Sequence, residues 1–119
     1  MLLIDSNIII YATQPQFPEL RTLITENDCF VSIISKIEVL GYHQLSSREK
    51  LGLEDFFAGA DVIDLNSSIV SKAIELRQAK KLSLGDAIIA ATALEFGLVL
   101  VTRNAKDFIH IPDLTVQTV

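Results

Sequence analysis

Apolar residues fall into short blocks separated by longer amphipathic stretches. Leu2-Leu3-Ile4, Cys29-Phe30-Val31-Ser32, Asp61-Val62-Ile63-Asp64-Leu65 and Leu98-Val99-Leu100-Val101 are too short for helices and read as strands. A short fifth strand is predicted at Leu114-Thr115-Val116. Between them, helices are predicted over residues 6–13, 18–26, 34–45, 48–58 and 67–80, the last with Ile69, Ala73 and Leu76 on one face. A further helix over 84–96 is apolar almost all round, from Ala87 to Leu94, and stops at Gly97. A helix of that kind belongs at the centre of a fold.

Strands separated by helices need crossover connections, which produce a parallel sheet. Strands that are apolar throughout, rather than alternating, belong to a sheet covered on both faces. The predicted fold is therefore α/β: a three-layer α/β/α sandwich around a central, mostly parallel sheet of four to five strands, in one domain over residues 1–119. In such sheets ligands bind beyond the carboxyl ends of the strands.

Composition supports a packed core, with 50% hydrophobic and 21% charged residues among 119. The single cysteine, Cys29, excludes an intrachain disulfide and suits a reducing compartment. The start of the chain has no basic segment before its apolar run, and no stretch approaches a membrane span, so a cytoplasmic location is expected. The formal net charge of −5 does not suggest a nucleic-acid partner. It becomes compatible with one if several of the acids converge on cations.

Three acids stand where the predicted fold would place a ligand. Asp5 directly follows the first strand; it would also serve as a helix cap. Glu38, at about 100° per helical residue, falls between Ile34, Ile37 and Gly41 on the apolar face, where a carboxylate needs a partner. A position at the rim of that stripe explains it equally simply. Asp86 follows Ser83 by three residues, as in a capping box, and shares a stripe with the small residues Ala90, Ala93 and Gly97. After the fourth strand come Thr102, Arg103, Asn104, Lys106 and Asp107, on the same edge of the sheet as Asp5. Carboxylates repel one another unless a cation joins them, and an all-oxygen set favours Mg²⁺ or Mn²⁺.

These stretches resemble the PIN-domain family, and within it the VapC-type toxins of toxin–antitoxin pairs. The matching segments are Leu3-Ile4-Asp5-Ser6-Asn7, Ser32-x-x-Ser35-x-x-Glu38, Leu84-x-Asp86-Ala87-x-Ile89-Ala90-Ala91-Thr92-Ala93 and Val101-Thr102-Arg103-Asn104-x-x-Asp107-Phe108. The resemblance implies a Mg²⁺- or Mn²⁺-dependent endoribonuclease, with tRNA a candidate substrate, acting as a homodimer and neutralised by an antitoxin protein. It casts Asp5, Glu38 and Asp86 as catalytic metal ligands. The family's fourth acidic position falls on the neutral Asn104, with Asp107 as a candidate replacement. Ser6, Asn7 and Thr102 are then groups that orient ligands or water, and Arg103 and Lys106 are RNA-contact candidates. Two other readings fit parts of the pattern. One is a catalytically silent PIN fold that only binds a partner. The other is a haloacid-dehalogenase-like phosphatase, although that would place Asp-x-Asp where this chain has Asp5-Ser6-Asn7.

Overall fold

The structure, a computed structural model, describes residues 1–119. Five strands, β1 (Leu2–Ile4), β2 (Cys29–Ser32), β3 (Asp61–Ile63), β4 (Val99–Thr102) and β5 (Val116–Thr118), form one sheet in the order β3-β2-β1-β4-β5. Every neighbouring pair is parallel. Six helices complete the fold: α1 (Ser6–Ala12), α2 (Pro18–Glu26), α3 (Ile33–Leu40), α4 (Ser47–Gly59), α5 (Ser67–Ala79) and α6 (Leu84–Phe96). None is long and apolar enough to cross a membrane.

The three-layer architecture follows from alternation along the strands. On β1, Leu3 joins one apolar core, with Leu100 of β4 and the inner faces of α5 and α6. Its neighbours Leu2 and Ile4 join a second core, with Val31, Val101 and residues of α1, α2, α3 and α4. Both sheet faces are thus covered, as the uniformly apolar strands require. α6 is the most enclosed helix: Ala87 through Ala93 are all buried. Gly97 ends it with a left-handed backbone (φ +63°), a conformation open to glycine at little cost.

Three elements differ from expectation by more than one residue at a boundary. α3 stops at Leu40 rather than continuing to residue 45, because Gly41 caps it and Ser46 starts α4 with a reciprocal capping box to Glu49. β3 ends at Ile63, since Asn66 already caps α5. β5 pairs through Val116–Thr118 instead of residues 114–116.

The strand order fixes where a ligand belongs. From β1 the chain winds outward through β2 and β3, then returns to lay β4 on the other side of β1. The reversal creates a crevice between the carboxyl ends of β1 and β4, where Asp5 and Thr102 meet.

Candidate active site

Asp5 continues the sheet for one residue: its N–H donates to Val101 O at 3.0 Å. The chain then turns into α1 with Asp5 as its N-cap. The carboxylate is buried and held at both oxygens. Ser6 N–H donates to Oδ1 at 2.8 Å, and Thr102 Oγ1 donates to Oδ2 at 2.8 Å. Thr102 in turn accepts from the N–H of Asn104 at 3.0 Å, so its only proton goes to Asp5 while its oxygen is held by the following loop. Of the two roles expected for Thr102, orienting a ligand or orienting water, its buried bond to Asp5 matches the first.

Glu38 is the principal correction. It does not lie on the buried face of α3. That face is Ser35 and Val39, while Ile37 is 62% exposed and Glu38 itself is exposed. The reason is the start of the helix: Ser32 ends β2 and caps α3, so the first inward-facing positions are Ser35 and Val39, four apart, against α1. Glu38 instead overhangs the crevice. Its Oε1 lies 2.8 Å from Ser6 Oγ, which lies 2.9 Å from Ser35 Oγ. One proton per hydroxyl satisfies this chain when Ser35 donates to Ser6 and Ser6 donates to Glu38.

Asp86 enters from the opposite wall, in the first turn of α6, whose N-cap Ser83 accepts from the Asp86 N–H at 3.1 Å. Gly85 beside it is a point of close approach. A Cβ there would stand 2.6 Å from Glu38 Oε2, so only glycine lets Glu38 reach across to α6. Sequence reasoning missed both Gly85 and the Ser35 relay. The signal was present in each case, as a glycine inside a helix and a serine on an apolar face, but neither identifies its distant partner.

The cleft has a volume of about 570 Å³. Asp5, Glu38, Asp86 and Asp107 all line it, with Ser6, Asn7 and Asn104 at its edge and Ile10, Val39 and Leu45 forming an apolar wall. Asp107 arrives from the 3₁₀ turn Ala105–Asp107. Arg103 does not line the cleft. Its guanidinium stacks on the rings of Tyr11 and Phe17, 5.3 and 5.5 Å from their centroids. Lys106 lies on the far side of Asp107, in an adjoining cavity.

The electrostatics are those of confined, unneutralised anions. No lysine or arginine pairs with any of the four carboxylates; the one ion pair of the fold is the exposed Lys72–Glu75 contact. Burial raises the Asp5 pKa above its ordinary value, against the hydrogen bonds from Thr102 and Ser6, and Asp107 adds to the rise. Asp86 is raised by burial, then by the charges of Asp5, Asp107 and Glu38, with Ser83 opposing. An all-oxygen set of this kind suits a hard divalent cation. No three acidic, histidine or cysteine side chains are already drawn together into an ion cage. Glu38 and Asp107 are exposed, whereas Asp5 is buried.

The PIN domain profile matches residues 2–114. No curated protein sequence matches the chain. A chain of a toxin–antitoxin complex from Klebsiella pneumoniae is 30% identical over 97% of this chain and 96% of its own, at TM-score 0.79. DNA-bound VapBC from Salmonella typhimurium is 23% identical over 99% and 98%, at TM-score 0.85. VapBC2 from Rickettsia felis, bound to a promoter DNA fragment, is also 23% identical over 99% and 98%, at TM-score 0.81. These two share the fold. With the profile spanning β1 to β4 and all six helices, and the crevice at the sheet's reversal lined by acids, the chain belongs to the PIN domain family.

Proposed function

We propose that this protein is a divalent-cation-dependent endoribonuclease and the toxin of a toxin–antitoxin pair. The observation that carries the proposal is the convergence of Asp5, Glu38, Asp86 and Asp107 on one cleft with no basic partner. Holding such charges together is unfavourable in the free protein, and a bound cation turns it into an advantage. Similarity to a chain of a toxin–antitoxin complex supports the biological role.

Asp5, Glu38 and Asp86 would hold Mg²⁺ or Mn²⁺, with Asp107 or the amide of Asn104 completing the set. When bound, a divalent cation there would supply Lewis-acid chemistry for hydrolysis of a phosphodiester. The protein's own groups fix the geometry. Thr102 and the Ser6 N–H lock the Asp5 carboxylate, and Ser6 aims Glu38 across the cleft at α6. Asn7, exposed and lining the cleft, would orient ligands or water there. RNA is the substrate class, with tRNA a first candidate. A homodimer and an antitoxin segment covering the cleft complete the proposed assembly; exposed Ile37 and Tyr42, on α3 and just after it, offer apolar surface for either.

The test is cleavage of tRNA and single-stranded RNA with Mg²⁺, with Mn²⁺ and with EDTA. Discrete fragments should need the metal, and Asp5→Asn should slow their formation by at least ~100-fold. Folded, antitoxin-free protein that cleaves nothing with either metal would leave the silent partner-binding reading in its place.

A further inference from the structure

A second cavity, of about 450 Å³, adjoins the acidic cleft and shares Asp86 and Asp107 with it. Its lining has the opposite character. Lys80, Lys81 and Lys106 stand around it, with Ser83 and His110. Three of the ten basic residues of a net-negative chain therefore gather beside the one place where its acids converge.

Lys80 is the C-cap of α5, where the helix dipole favours a cation, but that accounts neither for Lys81 beyond the helix nor for the meeting with Lys106. α5 ends at Ala79, and Lys80 already has an extended backbone (φ −161°, ψ 157°). The segment is held in place. Arg77 Nε donates to Leu82 O at 3.2 Å, and the Leu82 side chain is buried in the core. Arg77 is thereby occupied, while Lys80 and Lys81, exposed beside that anchor, are displayed. Lys106 comes from a different segment, the 3₁₀ turn after β4. None of the three forms an ion pair, although two carboxylates share the cavity. Scattered surface lysines would not meet from two segments at one wall of the cleft.

We infer that this lysine trough holds the backbone phosphates of the RNA strand next to the scissile one, where the strand leaves the acidic cleft past Asp86. The inference rests on the nuclease reading for its substrate. A single strand carries a phosphate at every nucleotide, so one bond cannot enter the cleft without its neighbours lying alongside. The acidic walls would repel those neighbours, and the trough offers three uncompensated ammonium groups on one side.

The test measures binding apart from cleavage. Fluorescently labelled single-stranded RNA is titrated against the full chain carrying Glu38→Gln, with Mg²⁺, at several salt concentrations. Adding Lys80→Gln, Lys81→Gln and Lys106→Gln together should weaken binding roughly tenfold or more. It should also flatten the log K against log salt slope by about 2, at ~0.7 per lost phosphate contact. Lys72→Gln, far from the trough, should change neither, and arginine at the three positions should restore both. Binding within twofold of the parent, with the same salt slope, overturns the inference. If the unmutated protein cuts no RNA but the slope still falls, the nuclease reading fails and the trough stands. If it cuts RNA and the triple variant binds normally, the reverse holds.

Discussion

The cleft has a fixed corner and an adjustable rim. At the fixed corner, Asp5 is buried, follows directly from a central strand, and has both oxygens bonded to groups of the fold. At the rim, Glu38 and Asp107 are exposed, and Glu38 is steered by one serine and by the absence of a side chain at Gly85. Asp86 stands between these extremes, half-buried on α6. The difference teaches how a cleft can gather acids that have no basic partner. One acid is held rigidly by the fold, and the others stand at the exposed edge, where solvent screens their repulsion. A cleft with every acid fixed would carry their full repulsion in the free protein.

The strongest way to break this arrangement is to loosen the fixed corner. Thr102→Val keeps the shape but leaves Asp5 Oδ2 and the Asn104 N–H without their partner, in a buried place. The expected cost is about 1–3 kcal/mol of stability, a fall in Tm of several degrees. Affinity for Mg²⁺ should fall roughly 10–100-fold as Asp5 loses its orientation. Thermal melts and calorimetric titration check the two effects separately. Unchanged metal affinity in a destabilised protein would reduce Thr102 to a packing role.

At the rim the same experiment should behave differently. Gly85→Ala places a Cβ where Glu38 Oε2 now lies, and the flexible end of Glu38 gives way before the backbone does. Alanine is the better helix former, so stability should stay level or rise by up to ~1 kcal/mol. Cleavage should nevertheless drop roughly tenfold, since displacing a ligand by an ångström removes much of the benefit of positioning. A variant with higher Tm and lower turnover would mark Gly85 as a residue kept for the site at some expense to α6. Equal loss of both would show that the backbone yielded instead.

The contrast also divides what the sequence reveals from what it hides. The sheet, its parallel direction and the central place of α6 follow from short apolar runs and one helix apolar on all sides. Asp5 was legible because it ends a strand, and strand ends sit on one edge of a parallel sheet. Glu38 was located in the right helix but on the wrong face, because Ile34, Ile37 and Gly41 look like a buried stripe and the inward positions are Ser35 and Val39. Periodicity counts apolar residues; it does not know that Ile37 is left uncovered. That Arg103 stacks on Tyr11 and Phe17 was not legible either, because only the folded loop brings those rings beneath it. The relays Thr102–Asp5 and Ser35–Ser6–Glu38 join residues up to 97 apart in the chain, and no local pattern carries that information.

The smallest expected effect concerns pH, and it asks whether the acids feel one another at all. Unfolded, Asp5 and Asp86 titrate near 3.8; folded, both keep their proton to higher pH. Over that window the folded state binds more protons than the unfolded one, so their contribution to stability is full below about pH 3.8 and is lost as pH rises. Glu49 runs the other way: the Ser46 cap favours its charged form, and its contribution is lost on acidification. The absolute melting curve therefore mixes both signs, and a difference isolates the site. Tm of Asp86→Asn minus that of the parent, without metal, should be smallest at acid pH and become more positive toward neutrality. The first turn of α6 favours a charged Asp86, but burial and three neighbouring acids outweigh it. Saturating Mg²⁺ should invert the difference at neutral pH, because only the parent then gains stability by binding through that carboxylate. A difference independent of pH and of Mg²⁺ would mean that Asp86 belongs to the helix cap alone and that the cleft closes on its cation without it.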